Sequence, residues 1–149
     1  MSLKKLMINY AAYNAWANET YVNWLKSKPE ALLTQEVPSS FNNIVKTMSL
    51  ILAVQEFWEA VVTETPVTSS RYITQVFDAE EIFATIVTQS KALVRYLETL
   101  SDADFLKEIH LETPWVKGTK PRYEFIHHIF NHSTYHRGQV TTIGRNVGI

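Results

Sequence analysis

The segment from residue 127 to residue 139 holds four of the five histidines of the chain and is the part of the sequence best suited to chemistry. It reads HHIFNHSTYHRGQ. At about 100° per residue on an α-helix, His128, His132 and His136 fall on one stripe that also includes Gln139, while His127 points elsewhere. Two imidazoles four residues apart converge above the helix surface and can chelate one divalent ion. The spacing therefore permits a metal site.

A helical stripe with several histidines also has a structural explanation. Apolar stripes contain histidines as core residues that each make one hydrogen bond, and such networks resemble functional sites. Imidazoles packed together without an anion have lowered pKa values and stay neutral, because burial and mutual repulsion disfavour the charged form. Without a metal, each ring would need a hydrogen-bond partner, for which the candidates are Asn14, Asn18, Gln55, Tyr10 and Tyr13.

The composition of the 149-residue chain is that of one globular domain. Hydrophobic residues make up 46% and charged residues 19%, so a packed core is expected. The formal net charge is -1, which leaves no long-range field to attract nucleic acid. The chain has no cysteine, so disulfides, thiolate nucleophiles and sulfur-bound zinc are excluded. We expect a single domain over residues 1–149 with no nucleic-acid partner.

The chain shows no signal for a membrane. The N-terminal segment has only short apolar runs broken by asparagine and lysine, so it lacks the hydrophobic region of a signal peptide. No stretch of about 18 apolar residues occurs, so no membrane-spanning segment is expected. We expect a cytoplasmic protein with no membrane partner.

Apolar residues recur every three or four positions in four long segments, which predicts four helices. Asp78 is expected to cap the third helix, and Gly148 to end the fourth. Because no segment alternates convincingly between apolar and polar residues, the fold class is all-α, a four-helix bundle with long crossover connections. The predicted helices run from Leu3 to Leu25, from about Phe41 to Thr63, from Asp78 to Leu100 and from about Pro121 to Asn146.

The connections between these helices carry further predictions. The hydroxyls of Ser39 and Ser40, which follow Pro38, are expected to cap the second helix. Residues 103–120 are predicted to form a second long connection, because they include Pro114, Trp115 and Gly118. Residues 64–77 are predicted to form a packed crossover, because they include Tyr72, Ile73, Val76 and Phe77.

Two residues beside the last histidine have structural interpretations. Arg137 lies off the histidine stripe, so we expect it to form an ion pair on the helix surface, with binding of a substrate carboxylate as the alternative. Gly138 costs about 1 kcal/mol relative to alanine inside a helix, which indicates a close approach of another helix.

Three motifs together resemble the DinB-like (damage-inducible protein) family over nearly the whole chain: HSTYHRGQ in the last helix, YNAWAN in the first and ILAVQEFW in the second. The resemblance implies a four-helix bundle whose last helix gives two metal ligands, here His132 and His136. A third family histidine lies eight residues before the tryptophan matched by Trp58. In this chain that position is Leu50.

Leucine has no donor atom, so the site that the resemblance implies is incomplete. His128 lies two helical turns from His136, too far for all three imidazoles of the stripe to bind one ion. Three other residues are candidates for the third metal ligand. Gln55 is a weak ligand for such metals, and Glu56 is expected to face solvent. His110 remains a candidate, because its place in the predicted connection does not fix its distance from the histidine pair. We therefore expect no tightly bound cofactor. If the site binds a metal, the expected ions are nickel and zinc. Residues expected to line a pocket are His128, Leu50, Gln55, Tyr13 and Asn14.

Three functions remain open from the sequence. The first is a non-catalytic or vestigial DinB-like protein that binds a small molecule beside His132 and His136. The second is a divalent-metal-dependent thiol S-transferase or hydrolase-type enzyme, which the resemblance implies. The third is an interaction module that uses the wide apolar surface of the second helix. A homodimer is expected, because the family resemblance implies one and because this surface exceeds what one bundle readily covers.

Overall fold

The computed structural model describes residues 1–67 and 78–149. Within these ranges, four long helices make up most of the fold, with two short helices and a two-stranded hairpin beside them. In chain order the elements are α1 (Leu3–Lys26), α2 (Glu30–Thr34), α3 (Ile44–Thr63), α4 (Ala79–Thr99), α5 (Asp102–Leu106), β1 (Glu108–Glu112), β2 (Lys117–Pro121) and α6 (Arg122–Val147). The predicted all-α bundle is confirmed. The predicted packing of Tyr72, Ile73, Val76 and Phe77 lies outside the described residues.

The long helices follow the order α1, α4, α3, α6 around the bundle, since α1 and α3 each pack against both α4 and α6. The connection from α1 to α3 and the one from α4 to α6 therefore cross the bundle diagonally. Diagonal crossings need long connections, which explains why short helical hairpins do not describe this fold. None of the helices in the described ranges is long and apolar enough to cross a membrane.

Several helix ends follow local capping chemistry. Asp78 accepts a hydrogen bond from the backbone of Glu81 at 2.9 Å, which confirms its predicted role as the cap of α4. Gly148 has a φ of 89° and ends α6, also as predicted. The predicted cap of the second long helix is wrong: Asn43, rather than Ser39 or Ser40, accepts from the backbone of Lys46 at 2.8 Å. The helix consequently starts at Ile44.

The segment before α6 is more regular than predicted. Ser101 and Asp104 form a capping box that starts the short helix α5. β1 and β2 then pair antiparallel, with Glu108 opposite Pro121 and Glu112 opposite Lys117. In β1 the side chains alternate between exposed and buried, but a five-residue strand is too short for that pattern to stand out in the sequence. The long connection predicted over 103–120 is therefore present, and it contains most of a short helix and a two-stranded hairpin that the sequence did not indicate.

The close helix approach occurs at Gly144 rather than at Gly138. A Cβ added at Gly144 would lie 2.8 Å from the indole of Trp24, whereas a Cβ at Gly138 would meet nothing within 4 Å. The prediction for Gly138 is therefore wrong, and Gly144 is the residue whose small size lets α6 approach α1.

A layer of buried polar residues divides the hydrophobic core. At one end of the bundle the apolar cluster includes Met7, Leu93 and Ile126, and at the other end it includes Leu25 and Met48. On each long helix, buried polar residues separate the residues of one apolar cluster from those of the other along the sequence. These polar residues are Asn14, Asn18, Gln55, Ser90, Ser133 and Arg137. An unpaired buried polar group is unfavourable, and in this layer the Ser133 hydroxyl is the one side-chain group without a partner among the described residues.

Candidate functional site

Three imidazoles form a row along α6. The ring centroids of His128 and His132 lie 6.2 Å apart, and those of His132 and His136 lie 4.3 Å apart. The predicted stripe is thus present, and its closest pair is the one that matches the family motif. His127 lies off this row and contacts Tyr10 edge-on at 6.2 Å.

Aromatic side chains from the α3 side contact both ends of the row. Trp58 lies 4.9 Å from His128, and Phe41, just before α3, lies 5.8 Å from His136. Tyr135 contacts His136 at 5.0 Å. These contacts show that α3 and α6 run in opposite directions, with the imidazole row on the part of α6 that lies beside α3.

The antiparallel arrangement fixes the height of Leu50 in the bundle. Leu50 precedes Trp58 by eight residues, and His136 follows His128 by eight residues. Eight residues of an α-helix span about 12 Å, so Leu50 on α3 is level with His136 on α6. Leu50 is half-buried at this point.

His136 is held in one tautomer by Gln139. The Nδ1 atom of His136 lies 2.7 Å from Oε1 of Gln139, and a carbonyl oxygen can only accept. Nδ1 therefore carries the proton and Nε2 carries the lone pair. Nε2 of Gln139 lies 3.4 Å from the Tyr135 hydroxyl, which is consistent with this amide orientation. A hydrogen bond to the far nitrogen is how proteins orient a histidine that binds through the other nitrogen.

His132 has a buried ring nitrogen without a partner. Its Nδ1 makes no hydrogen bond to the described residues. Burial, followed by the nearby rings of His136 and His128, lowers the pKa of His132 from 6.5 to about 4. Burial also lowers the pKa of His128, and His127 adds to the shift. Near neutral pH His132 is therefore uncharged and has a lone pair on one nitrogen.

The described residues provide two good nitrogen ligands but no third one. They contain no group of three His, Asp or Glu side chains that could hold a metal ion. His110 is exposed on β1, where its ring contacts Thr119 at 3.0 Å and Glu112 at 3.6 Å. A catalytic zinc-type site usually has three protein ligands, so this pair does not fit a resident catalytic metal.

Gln55 and Asn14 belong to the polar layer. Asn14 donates to Oε1 of Gln55 at 3.0 Å, and Gln55 donates to Oε1 of Gln89 at 2.9 Å and to Ser90 at 3.1 Å. Asn18 donates to the same serine at 2.9 Å. These groups therefore bond one another instead of the imidazoles, in contrast to the partners expected from the sequence.

Arg137 completes this layer from α6. It is only 4% exposed, and its Nη1 donates to Oδ1 of Asn14 and of Asn18, both at 2.8 Å. Nη2 donates to Thr134 at 3.0 Å. Burial lowers the pKa of Arg137, and interactions with Tyr13 and Tyr21 oppose that shift. The predicted surface ion pair is wrong, because two asparagines four residues apart on α1 offer two buried acceptors to one guanidinium.

The remaining pocket candidate, Tyr13, lies on the α1 surface. Its side chain is 51% exposed, packs against Trp16 at 5.7 Å, and has the Arg137 guanidinium 6.0 Å from its ring centre. Sequence reasoning missed Gln139 as the partner of His136. The signal was available, since Gln139 falls on the histidine stripe three residues after His136.

Comparison with known proteins gives a consistent result. The model of the DinB family matches residues 1–149. The chain is 26% identical to Protein DinB of Bacillus subtilis (strain 168) over 144 residues, which cover 91% of this chain and 83% of that protein. It is also similar to the crystal structure of a DinB-like protein from Bacillus cereus, with a TM-score of 0.76, 17% identity, and coverage of 95% of this chain and 91% of that one.

Proposed function

The chain belongs to the DinB family, and on that premise we propose that it is a non-catalytic member that binds a small molecule beside a vestigial metal site. The observation that carries this proposal is the level position of Leu50 and His136. A side chain without a donor atom stands where the family resemblance implies a third histidine. Two imidazole nitrogens alone form a weak site for nickel or zinc.

The proposed ligand site is the imidazole row of α6 beside α3. His136 presents the lone pair of Nε2, because its Nδ1 is bonded to Gln139 at 2.7 Å. Trp58 and Phe41 supply apolar surface at the two ends of the imidazole row. A few oriented polar atoms among aromatic side chains are typical of small-molecule sites.

Metal retention tests this proposal directly. Protein purified without an affinity tag should carry well under one equivalent of nickel or zinc by elemental analysis. After incubation with equimolar Ni²⁺ and desalting, it should lose the ion again, because two ligands hold it weakly. A stoichiometric ion that survives desalting would refute the vestigial site.

A divalent-metal-dependent thiol S-transferase or hydrolase-type enzyme is the second candidate. It is favoured by the unpartnered Nδ1 of His132 and by the low pKa of that ring, since neutral imidazoles are ready ligands. His132 and His136 would supply two of the ligands. Nickel-dependent consumption of a thiol in the presence of an electrophile, lost in His136→Ala, would favour this candidate.

We also propose a homodimer, as the family resemblance implies. The sequence argument for a dimer, that the second long helix has more apolar surface than one bundle covers, is wrong. Most of the apolar surface of α3 is buried within the chain. The interaction-module hypothesis loses its proposed surface for the same reason. Three exposed aromatic residues, Tyr10, Tyr13 and Trp16, lie together on α1 and are between 44% and 61% exposed, while Trp115 and Tyr135 are exposed elsewhere. Sedimentation at micromolar concentration tests the dimer.

A further inference from the structure

A cleft of about 410 Å³ lies beside His136, between the loop that precedes α3 and the second half of α6. Its volume is within the range of about 300–1,000 Å³ that small-molecule sites occupy. Two of its lining residues, Gln139 and Tyr135, also contact His136. The cleft therefore adjoins the imidazole row.

The side chains that line this cleft are uncharged. Apart from Pro38, Gly138 and Ile143, all of them carry hydroxyl or amide groups. An ionic ligand would lose water here without gaining a partner of opposite charge, which is unfavourable. The hydrogen-bonding residues of the lining are Ser39, Ser40, Tyr135, Gln139, Thr142 and Asn146.

Several of these groups have unused hydrogen-bonding capacity. The hydroxyls of Ser39 and Ser40 make no hydrogen bond to the described residues, since Asn43 caps α3 in their place. Asn146 donates from Nδ2 to the backbone of Thr142 at 3.0 Å, so its Oδ1 can accept. Gln139 accepts from His136 through Oε1, and its Nε2 has a contact of 3.4 Å with Tyr135, longer than an ordinary hydrogen bond.

We infer that this cleft binds a small uncharged polyhydroxylated molecule, and that Gln139 links this ligand to His136. The inference rests on the proposed function and specifies its ligand class. Hydroxyl groups match a lining that offers both donors and acceptors. The exposed apolar surface of Pro38 suits the carbon face of a sugar-like ring. Gln139 would contact the ligand through Nε2 while its Oε1 keeps the tautomer of His136.

Titration of the ¹⁵N-labelled protein with neutral probes tests the inference. The probes are glucose, myo-inositol and glycerol, and the charged counterparts are glucose 6-phosphate and gluconate. We expect saturable shifts for at least one neutral probe, confined to the amides of residues 38–40 and 135–146. Shifts that are absent for all three neutral probes, or larger for the charged ones, would overturn the inference.

Variants locate the binding. Gly138→Leu should reduce the affinity at least about tenfold, because a side chain there enters a space that is open beyond 4 Å in the native chain. The double variant Ser39→Ala/Ser40→Ala should also weaken binding without unfolding the protein. Thr88→Ala removes an exposed hydroxyl that bonds only within α4, and it should leave the affinity unchanged. Equal affinity in all variants would refute the cleft.

The two proposals fail separately. Probe-induced shifts of the His132 and His136 ring signals without shifts in the cleft would refute the cleft and keep ligand binding beside the imidazoles. Cleft binding in a protein that retains one equivalent of nickel would keep the cleft and refute the vestigial metal site.

Discussion

Arg137 donates a hydrogen bond of 2.8 Å to Asn14, which joins the last helix to the first inside the protein. The same guanidinium bonds Asn18, and the asparagines continue to Gln55 and Ser90. All four long helices are thereby tied at one level of the bundle. The order of the helices around the core is fixed by polar contacts as well as by apolar packing.

Replacing this guanidinium should destabilise the fold strongly. In Arg137→Met the amide oxygens of Asn14 and Asn18 lose their donor while remaining buried. The free energy of unfolding should fall by about 2–4 kcal/mol. Urea denaturation measures this change, with Arg95→Met on the exposed face of α4 as the control. Equal midpoints for the two variants would show that the layer contributes no stability.

Introducing a histidine at position 50 should create a metal site. Leu50→His places an imidazole level with His136, so the affinity for Ni²⁺ should rise about 100-fold, or roughly 2.7 kcal/mol. Calorimetric titration measures the gain. Two control variants are measured beside it. Leu50→Gln places a poor ligand at the same position. Leu50→His combined with His136→Ala removes one of the three histidine ligands. A gain that persists in the second control would place the ion elsewhere.

Stability should fall in acid because of His132. Its pKa is about 4 in the folded chain and 6.5 in the unfolded reference. Between these values the unfolded chain binds a proton that the folded chain does not, so stability falls as the pH drops from 6.5 to 4. The loss should be roughly 1–3 kcal/mol.

The variant His132→Gln isolates this contribution. His128 acts in the same direction, whereas Glu59, whose pKa is raised mainly by burial, acts in the opposite one. Chemical denaturation of both proteins with EDTA at several pH values should show a shallower slope in the variant. Identical slopes would mean that His132 titrates normally in the folded chain.

Two glycines of α6 should respond oppositely to alanine. Gly144→Ala places a Cβ 2.8 Å from the Trp24 indole and should lower the free energy of unfolding by about 1–3 kcal/mol. Gly138→Ala meets nothing within 4 Å and should raise it by up to about 1 kcal/mol. Thermal denaturation distinguishes the two signs. A stable Gly144→Ala protein would indicate that Trp24 moves aside easily.

The long helices were predictable because their apolar repeats are long enough to identify, and Asp78 and Gly148 act through local chemistry. The residue that caps α3 could not be predicted, because three residues there have suitable side chains: Ser39, Ser40 and Asn43. The hairpin of β1 and β2 was not predicted, because each strand has only five residues and so gives a weak alternating pattern.

The candidate site was predictable to the extent that it lies on one helix. The spacing of His132 and His136 places them together whatever the rest of the chain does. The burial of Arg137 depends on asparagines more than a hundred residues away, and periodicity within α6 carries no information about them. Contacts of this kind become visible only when the helices are assembled.

The histidine pair and the buried arginine use different faces of α6. His136 contacts Phe41 and Gln139, while Arg137 contacts α1. A substitution at position 50 on α3 would leave the hydrogen bonds from Arg137 to Asn14 and Asn18 in place. The face of α6 that carries the imidazoles is therefore separate from the face that joins it to α1.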